Sequence, residues 1–300
     1  MISRRLPLFQ RDPSSRAITE GDDSSAREPA ISRRRLLRAG PGLAGALVLA
    51  GSAAASASPA RVPAPRATAV PRPTAPRPSP APPAPAAVRP LRRPVHTLKD
   101  YRRVLPGRAF PADAVALTID DGPHPVWTPK ILRLLDRYHV PALFCMIGNQ
   151  VLGHEAVARS VVRDGHQIAN HTWSHPTRMG RRPHTLMRRE LARAQEKIYD
   201  TTGYAPTLFR SPGGDWSPAL LGAAAKARMV PLDWSDDPRD WTRPGVTAIT
   251  HRLLAARPGQ ILLCHDGGGD RSQTYAALRT VIPALRARGY RFVALDQRHP

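Results

Sequence analysis

Short apolar runs alternate with longer amphipathic stretches from about residue 110 to the C-terminus. Short runs rich in Val, Ile, Leu and Phe are typical of buried strands. They predict seven strands, at residues 115–119, 141–147, 167–170, 207–210, 229–234, 260–265 and 291–295. The amphipathic stretches predict six helices, at residues 128–138, 154–164, 186–201, 217–227, 246–256 and 272–288. This alternation predicts a parallel α/β sheet, which is either open or closed into a barrel.

Three helix boundaries carry capping signals. Thr128 with Pro129, and Ser217 with Pro218, each predict an N-cap followed by proline at the first helical position. Gly203 follows the longest amphipathic stretch and predicts its end, because glycine readily adopts a left-handed C-terminal cap.

Chemically distinctive polar residues stand where the predicted strands end. They are Asp120, Asp121, His171, Arg210, Asp237 and His265. Parallel barrel enzymes gather their active sites at the C-terminal ends of the strands. Contributions from nearly every strand therefore favour a closed barrel over an open sheet.

The first strand ends in an acid pair, since residues 118–123 read Thr-Ile-Asp-Asp-Gly-Pro. Neighbouring side chains in a strand point to opposite faces, so Asp120 and Asp121 share a direction only if the backbone turns. The Gly-Pro dipeptide is expected to supply that turn. One carboxylate could then bind a cation while the other transfers a proton; an Asx turn is the structural alternative.

His171 and His175 are four residues apart, and on a helical turn this spacing places both imidazoles on one face. With Asp121 they would form a His₂Asp set with an open coordination position, which is typical of a catalytic zinc site. The Glu of an H-E-x-x-H protease motif is missing, which excludes that class. A capped loop remains the structural alternative.

Three further segments contain residues that are candidates for binding substrate or for catalysis. In Arg210-Ser211-Pro212-Gly213-Gly214, the arginine could hold a carboxylate in a bidentate pair and backbone amides near Gly213 could bind an oxyanion. Residues 236–241 combine three acids with Trp241, whose ring could stack on a sugar or belong to the core. His265 ends an apolar strand and is a candidate general acid or a structural histidine.

Taken in order, five segments resemble the NodB-homology polysaccharide deacetylases, which form carbohydrate esterase family four. The matching segments are residues 118–123, 171–175, 210–214, 237–241 and 263–266. The resemblance covers about residues 110–296. It implies a distorted (β/α)₇ barrel that removes acetyl groups from N- or O-acetylated sugars with Zn²⁺ or Co²⁺.

The resemblance also implies a role for each matching residue. Asp120 would be the general base and His265 the general acid, with Arg210 orienting the base and Asp240 tuning the acid. The metal ligands would be Asp121, His171 and His175. The substrate contacts would be Gly213, Trp241 and Leu263.

Two positions depart from the family pattern. Ile119 replaces the usual Phe, which is an apolar exchange without consequence for the chemistry. Gly213 stands where Tyr is common, so the backbone donor can remain while one wall of the substrate groove is lost.

The N-terminal third differs in composition from the rest. Residues 1–95 contain 16 Arg and 5 acids, a net charge of +11, which is half of the +22 of the chain. No aromatic-rich basic patch accompanies this charge, so nucleic acid is not an expected partner. Consecutive arginines at 33–35 before a weakly apolar segment resemble a twin-arginine export signal, placed at residues 1–57. A retained membrane anchor is the alternative, although the segment is poorly apolar for a span.

Residues 58–95 predict a disordered linker, because 13 prolines fall between Pro59 and Pro94. Residues 96–300 are the expected catalytic domain. Cys145 and Cys264 lie inside predicted strands and are expected to be free thiols rather than a disulfide.

These features together predict a metal-dependent N-deacetylase that is secreted or attached to the cell wall. Its expected partner is an acetylated polysaccharide, either peptidoglycan or a chitin-like polymer, and the protein is expected to be a monomer. Cleavage of the signal would leave no stable membrane span. An acetylxylan-type O-acetyl esterase and a non-catalytic wall-glycan-binding module are the alternatives.

Overall fold

The computed structural model describes residues 90–295. The predicted export signal, residues 1–57, and residues 58–89 of the predicted linker lie outside the described residues. Val95 is only 1% exposed and forms a parallel bridge with Leu232. The packed part of the chain therefore includes the last residue of the predicted linker. Between residues 90 and 295, no helix has both the length and the apolar character needed to cross a membrane.

All seven predicted strands are present in one parallel sheet. They are β1 (Ala114–Asp120), β2 (Ala142–Met146), β3 (Gln167–Asn170), β4 (Leu208–Phe209), β5 (Val230–Pro231), β6 (Ile261–His265) and β7 (Arg291–Phe292). Hydrogen bonding places them in the order β5-β4-β3-β2-β1-β6. Strand β7 lies off this path and pairs with the first two residues of β1.

The segment after β5 pairs with β6 and so connects the two edge strands of the sheet, β5 and β6. Asp236 forms a parallel bridge with Leu262 of β6, and the Leu263 N–H donates to the Asp236 carbonyl at 3.0 Å. The Ser235 N–H donates to the Ile261 carbonyl at 2.9 Å. The strands thus curl into the expected distorted (β/α)₇ barrel, with β7 outside the ring.

Seven α-helices accompany the strands in the described part of the chain. They are α1 (Leu98–Val104), α2 (Trp127–Arg137), α3 (Glu155–Arg163), α4 (His184–Thr202), α5 (Pro218–Lys226), α6 (Val246–Leu254) and α7 (Ser272–Ala287). The sequence pattern did not predict α1, because its seven residues include four charged ones and give little periodicity. Its Leu98 and Tyr101 are nevertheless buried.

Two of the three predicted helix caps are confirmed. The Ser217 hydroxyl accepts the Leu220 N–H at the start of α5, and Gly203 ends α4 with a left-handed φ of 71°. The N-cap at Thr128 was wrong, because α2 begins at Trp127, two residues before the predicted first helical residue Pro129, and His124 Nδ1 accepts the Trp127 N–H at 3.2 Å. Thr128 instead donates its hydroxyl proton to Asp266.

The pleat of the strands sorts their side chains onto two faces. In β1, Val115, Leu117 and Ile119 pack with buried residues of the surrounding helices. Ala114 and Ala116 belong to a separate cluster with residues of the other strands and of α1. Thr118 and Asp120 share this inner face, since they continue the alternation.

The same alternation explains the state of the two cysteines. Cys145 packs in the inner cluster, whereas Cys264 packs in the outer cluster with the helices. Both are buried free thiols, as expected, because a sheet separates their side chains.

Candidate active site

Strand register brings the two predicted proton-transfer residues together. Asp120 ends β1, His265 ends β6, and the two are direct partners in the parallel pairing of these strands. His171 directly follows β3 and Arg210 directly follows β4. Four residues that are far apart in sequence therefore meet at one end of the barrel, as predicted.

Asp121, His171 and His175 form one compact group. Asp121 Oδ1 lies 3.4 Å from His171 Nε2 and 3.3 Å from His175 Nε2, and the three potential ligand atoms lie within 4.8 Å of one another. Asp121 Oδ1 is buried without a hydrogen-bond partner in the described part of the chain. Two imidazole nitrogens around an otherwise unsatisfied carboxylate oxygen fit a divalent metal ion.

The loop geometry differs from the helical turn that the histidine spacing predicted. Thr172 and His175 have left-handed φ values of 67° and 53°, so the loop brings the two rings together with centroids 4.9 Å apart. Side-chain hydrogen bonds hold this loop: the Asn170 side chain accepts the Thr172 N–H, and the Thr172 hydroxyl accepts the His175 N–H.

The bend at the acid pair lies at Asp121 itself, which has a left-handed φ of 76°. The Asp121 carbonyl is packed against Gly267, where a Cβ atom would lie only 1.9 Å from its oxygen. This close approach requires glycine after the His-Asp pair. The turn therefore places Asp121 between both histidines, whereas Asp120 approaches only His171, with its Oδ2 3.7 Å from His171 Nε2.

His171 is oriented by its second ring nitrogen. Its Nδ1–H donates to the Arg210 carbonyl at 2.9 Å, which leaves Nε2 beside Asp121. Such a contact to a backbone carbonyl commonly fixes the tautomer of a metal-binding histidine. Burial opposes ionisation of Asp121, but the adjacent His171 imidazole, with His265 and His175, outweighs it and lowers the pKa of this carboxyl.

Arg210 lies fully buried beside Asp120. Its Nη1 donates to Asp120 Oδ1 at 2.7 Å and to Thr118 Oγ1 at 2.8 Å, and its Nη2 donates to the Asp233 carbonyl at 2.9 Å. The bidentate pair considered from the sequence is therefore wrong, since one nitrogen of Arg210 serves the carboxylate. The sequence analysis missed Thr118, although its spacing from Asp120 places both on one face of β1.

His265 is paired with Asp240. Its Nδ1–H donates to Asp240 Oδ1 at 2.7 Å, while Asp240 Oδ2 accepts the His265 N–H at 2.9 Å and the Thr274 hydroxyl at 2.8 Å. Burial alone would lower the pKa of His265, but the Asp240 carboxylate raises it to about 9. His265 therefore carries a proton at neutral pH, as a general acid requires. Thr274 was not recognised in the sequence.

The three predicted substrate contacts have different environments. Gly213 lies in the turn after β4 with a left-handed φ of 62°. Trp241 is 50% exposed, so its ring is accessible to a ligand. Leu263 is 2% exposed and lies two residues before His265 in β6. Their roles in binding substrate stay predictions.

A buried carboxylate outside the predicted set supports residues 171–175, the loop that carries both histidines and that we call the metal loop. Glu190 of α4 accepts the Ser174 N–H at 2.7 Å and the Ser174 hydroxyl at 3.0 Å. Glu190 is only 3% exposed. The signal that could have found it is a single acid among the apolar positions of an amphipathic helix.

Asp266, directly after the proposed general acid, is also buried. It accepts the Thr128 hydroxyl, and burial raises its pKa to about 7. Its side chain is packed against Gly122, where a Cβ atom would lie 2.5 Å from Asp266 Oδ1. The residue therefore packs beneath the turn that carries Asp121.

Comparison with known proteins identifies similar chains. A family model described as polysaccharide deacetylase matches residues 107–232. A chitooligosaccharide deacetylase of Sinorhizobium fredii is 40% identical over 214 residues, which are 67% of this chain and 98% of that protein. A peptidoglycan-N-acetylglucosamine deacetylase of Bacillus cereus is 40% identical over 186 residues, 61% of this chain and 86% of that protein.

A solved structure has the same fold. The crystal structure of the Bc1960 peptidoglycan N-acetylglucosamine deacetylase superposes with a TM-score of 0.59 at 33% identity. The match covers 62% of this chain and 88% of that structure.

Proposed function

The chain belongs to the NodB-homology polysaccharide deacetylases of carbohydrate esterase family four, and we propose that it removes N-acetyl groups from N-acetylglucosamine-type sugars. As a member of this family it is a hydrolase that acts on carbon–nitrogen bonds. The substrates that we propose are peptidoglycan or chitin-like polymers, which are the substrates named for its relatives.

The family is metal-dependent, and the group formed by Asp121, His171 and His175 can hold the ion. We propose Zn²⁺ or Co²⁺, because two imidazoles and one carboxylate are a donor set that suits these metals. When bound, such an ion makes water more acidic and polarises the acetyl carbonyl.

The remaining residues divide the proton transfers between them. Asp120 accepts the proton of the water that attacks the acetyl carbon, while Arg210 keeps this carboxylate in place. The Gly213 amide is the proposed hydrogen-bond donor to the developing oxyanion. His265 donates its proton to the sugar nitrogen as the carbon–nitrogen bond breaks, which yields acetate and a free amine.

One observation carries this proposal. A carboxylate fixed by Arg210 and a protonated imidazole fixed by Asp240 lie on paired strands beside the group of Asp121, His171 and His175, which can hold a metal ion. This is the arrangement of base, acid and metal ligands that hydrolysis of an amide requires.

The location of the protein remains a proposal as well. The arginines at 33–35 and the apolar segment after them support export by the twin-arginine route, with the mature protein secreted or attached to the cell wall. We expect a monomer.

Acetate release from three substrates tests the proposed function. The purified protein is incubated with N-acetylated peptidoglycan, chitooligosaccharides and acetylxylan, each with and without a chelator. We expect acetate from the first two, loss of activity with the chelator and recovery with Zn²⁺ or Co²⁺. Acetate from acetylxylan alone would identify an O-acetyl esterase, and no acetate from any substrate would indicate a glycan-binding module.

A further inference from the structure

Exposed arginines are concentrated beside the metal loop. Six exposed arginines lie in the connection from His175 to α4 and in the first half of α4, and five of them form what we call the arginine patch: Arg178, Arg181, Arg182, Arg189 and Arg193. The sixth, Arg188, lines a groove beside α5 and is not included. Arg189 and Arg193 are four residues apart in the helix and therefore share one face. The patch thus concentrates positive charge on a short segment of surface.

No acid among the described residues forms an ion pair with the arginine patch. Between residues 171 and 195 the sequence has a single acid, Glu190, which is buried and bonded to Ser174. The second half of α4 differs, since Lys197 there pairs with Glu155 at 2.8 Å.

Some arginines elsewhere on the domain surface have acidic partners, whereas others, such as Arg133, Arg159 and Arg279, have none among the described residues. The pairs include Arg163 with Asp164, Arg243 with Asp270 and Arg291 with Asp113. The distinguishing feature of the arginine patch is therefore the number of unpaired arginines in one short stretch that contains a single, buried acid. Like charges without counter-charges favour binding of an external anion.

Two contacts attach the arginine patch to the metal loop. The Arg193 guanidinium lies 4.1 Å from the centroid of the Trp173 ring, and Trp173 stands between the two metal-binding histidines in sequence. Glu190, one residue after Arg189, holds Ser174 of the same loop through two hydrogen bonds. The arginine patch therefore begins three residues after His175 and contacts the loop that carries both histidines.

We propose that the arginine patch binds carboxylates carried by the glycan strand that is being deacetylated. Guanidinium groups bind carboxylates through charge-assisted hydrogen bonds, which suits acidic substituents repeated along a polymer. This inference rests on the proposed function and narrows its substrate class. It makes an anionic strand such as peptidoglycan a better substrate than a neutral chitin-like chain.

The test removes three arginines whose side chains form no hydrogen bond, ion pair or aromatic-ring contact in the described part of the chain. The patch variant is Arg178→Gln, Arg181→Gln and Arg189→Gln. The control variant is Arg133→Gln, Arg159→Gln and Arg279→Gln, which removes the same charge from exposed positions on α2, α3 and α7. For both variants, kcat and KM are measured on soluble peptidoglycan fragments and on a neutral chitooligosaccharide, at low and high salt.

We expect the patch variant to raise KM for peptidoglycan about five- to tenfold at low salt, with less effect at high salt, because exposed charge pairs are individually weak and screened. Its kinetics on the neutral oligomer should match the wild type, and the control variant should match the wild type on both. An equal change on both substrates, the same change in the control variant, or no change would overturn the proposal.

A binding measurement can fail or succeed independently of turnover, so it tests the arginine patch separately from the proposed deacetylase activity. Sedimentation with insoluble peptidoglycan measures affinity for the strand without turnover. If the wild-type protein releases no acetate from either substrate, the proposed function fails. The arginine patch is then supported if the patch variant alone sediments less, and contradicted if both variants sediment like the wild type.

Discussion

Arg210 is the largest fully buried side chain in the described part of the protein, and it lies in the proposed site. A buried charge is tolerated only when it is paired and hydrogen-bonded. Asp120 supplies the counter-charge, while Thr118 and the Asp233 carbonyl accept further N–H groups; only Nε has no partner among the described residues. This network fixes the position of the proposed base before substrate binds.

Thr118→Val tests the network without changing the shape of the side chain. The variant loses the acceptor at 2.8 Å from Arg210 Nη1 and the donor to the Leu262 carbonyl at 2.7 Å. We expect kcat to fall about tenfold with little change in KM, and the free energy of unfolding to fall by about 1–3 kcal/mol. Enzyme kinetics and urea unfolding measure the two effects.

The control is Thr247→Val at an exposed position of α6. It should leave kcat and stability near the wild-type values. A Thr118→Val variant that is destabilised but has full kcat would show that the hydroxyl stabilises the fold without positioning Asp120 for catalysis.

Asp240→Asn tests the general acid through pH dependence. In the wild type the pKa of His265 is about 9, so activity that needs its proton should decline only as the pH rises through about 9. Without the Asp240 carboxylate the pKa of His265 falls, because burial is no longer offset. The alkaline limb of the kcat profile should therefore move to lower pH; an unmoved limb would contradict the assignment of His265.

At the level of elements, the strand positions and the polar residues after them could be predicted from the sequence. Apolar runs are local signals, and His171, Arg210 and His265 directly follow or end the strands expected. The closure between Asp236 and Leu262 could not be predicted, since it depends on register between distant segments. The pattern of five motifs, rather than any single strand, indicated the barrel.

The loop at His171 shows why the remaining local geometry escaped prediction. Spacing of four residues suggested a helical turn, but Thr172 and His175 adopt left-handed conformations that side-chain hydrogen bonds stabilise. Such conformations are uncommon for residues other than glycine and depend on tertiary contacts. One of these contacts is the buried Glu190 on α4.

Glu190→Gln tests the support that α4 gives to the metal loop. An amide cannot accept both hydrogen bonds from Ser174 as the carboxylate does. We expect Zn²⁺ affinity to fall about tenfold, the lower end of the range for direct partners of metal ligands, because Glu190 holds Ser174, the residue before His175, and not a ligand itself. Competition with a chelator measures this affinity.

The matched control is Glu196→Gln, which removes the same charge from an exposed position of α4. It should bind Zn²⁺ like the wild type. Equal affinities for the Glu190 and Glu196 variants would show that the loop holds its geometry without α4.

For the whole molecule, the boundary of the folded domain matters for the site. Val95 donates its N–H to the Pro231 carbonyl at 2.9 Å and accepts the Asp233 N–H at 2.7 Å. Asp233 in turn accepts a hydrogen bond from Arg210 through its carbonyl. The last residue of the predicted linker is therefore connected to the proposed base through a short series of contacts.

Two truncated proteins, beginning at residues 90 and 96, test this boundary. The shorter one loses two backbone hydrogen bonds, the buried Pro94 and Val95 side chains and the packing of Leu91, so its free energy of unfolding should be lower by about 3–5 kcal/mol. Urea unfolding of the two proteins gives the difference. Equal stability would place the domain boundary after Val95.

The central claim is that Asp121 is a metal ligand, while its neighbour Asp120 is the general base that accepts the proton of the attacking water. The most direct measurement is the bound Zn²⁺ content of purified Asp120→Asn together with its rate of acetate release from a chitooligosaccharide. Zn²⁺ content should equal that of the wild type, while kcat falls about 10²- to 10⁴-fold, as loss of a general base does. Turnover near the wild-type rate, or loss of the metal, would contradict this division of roles.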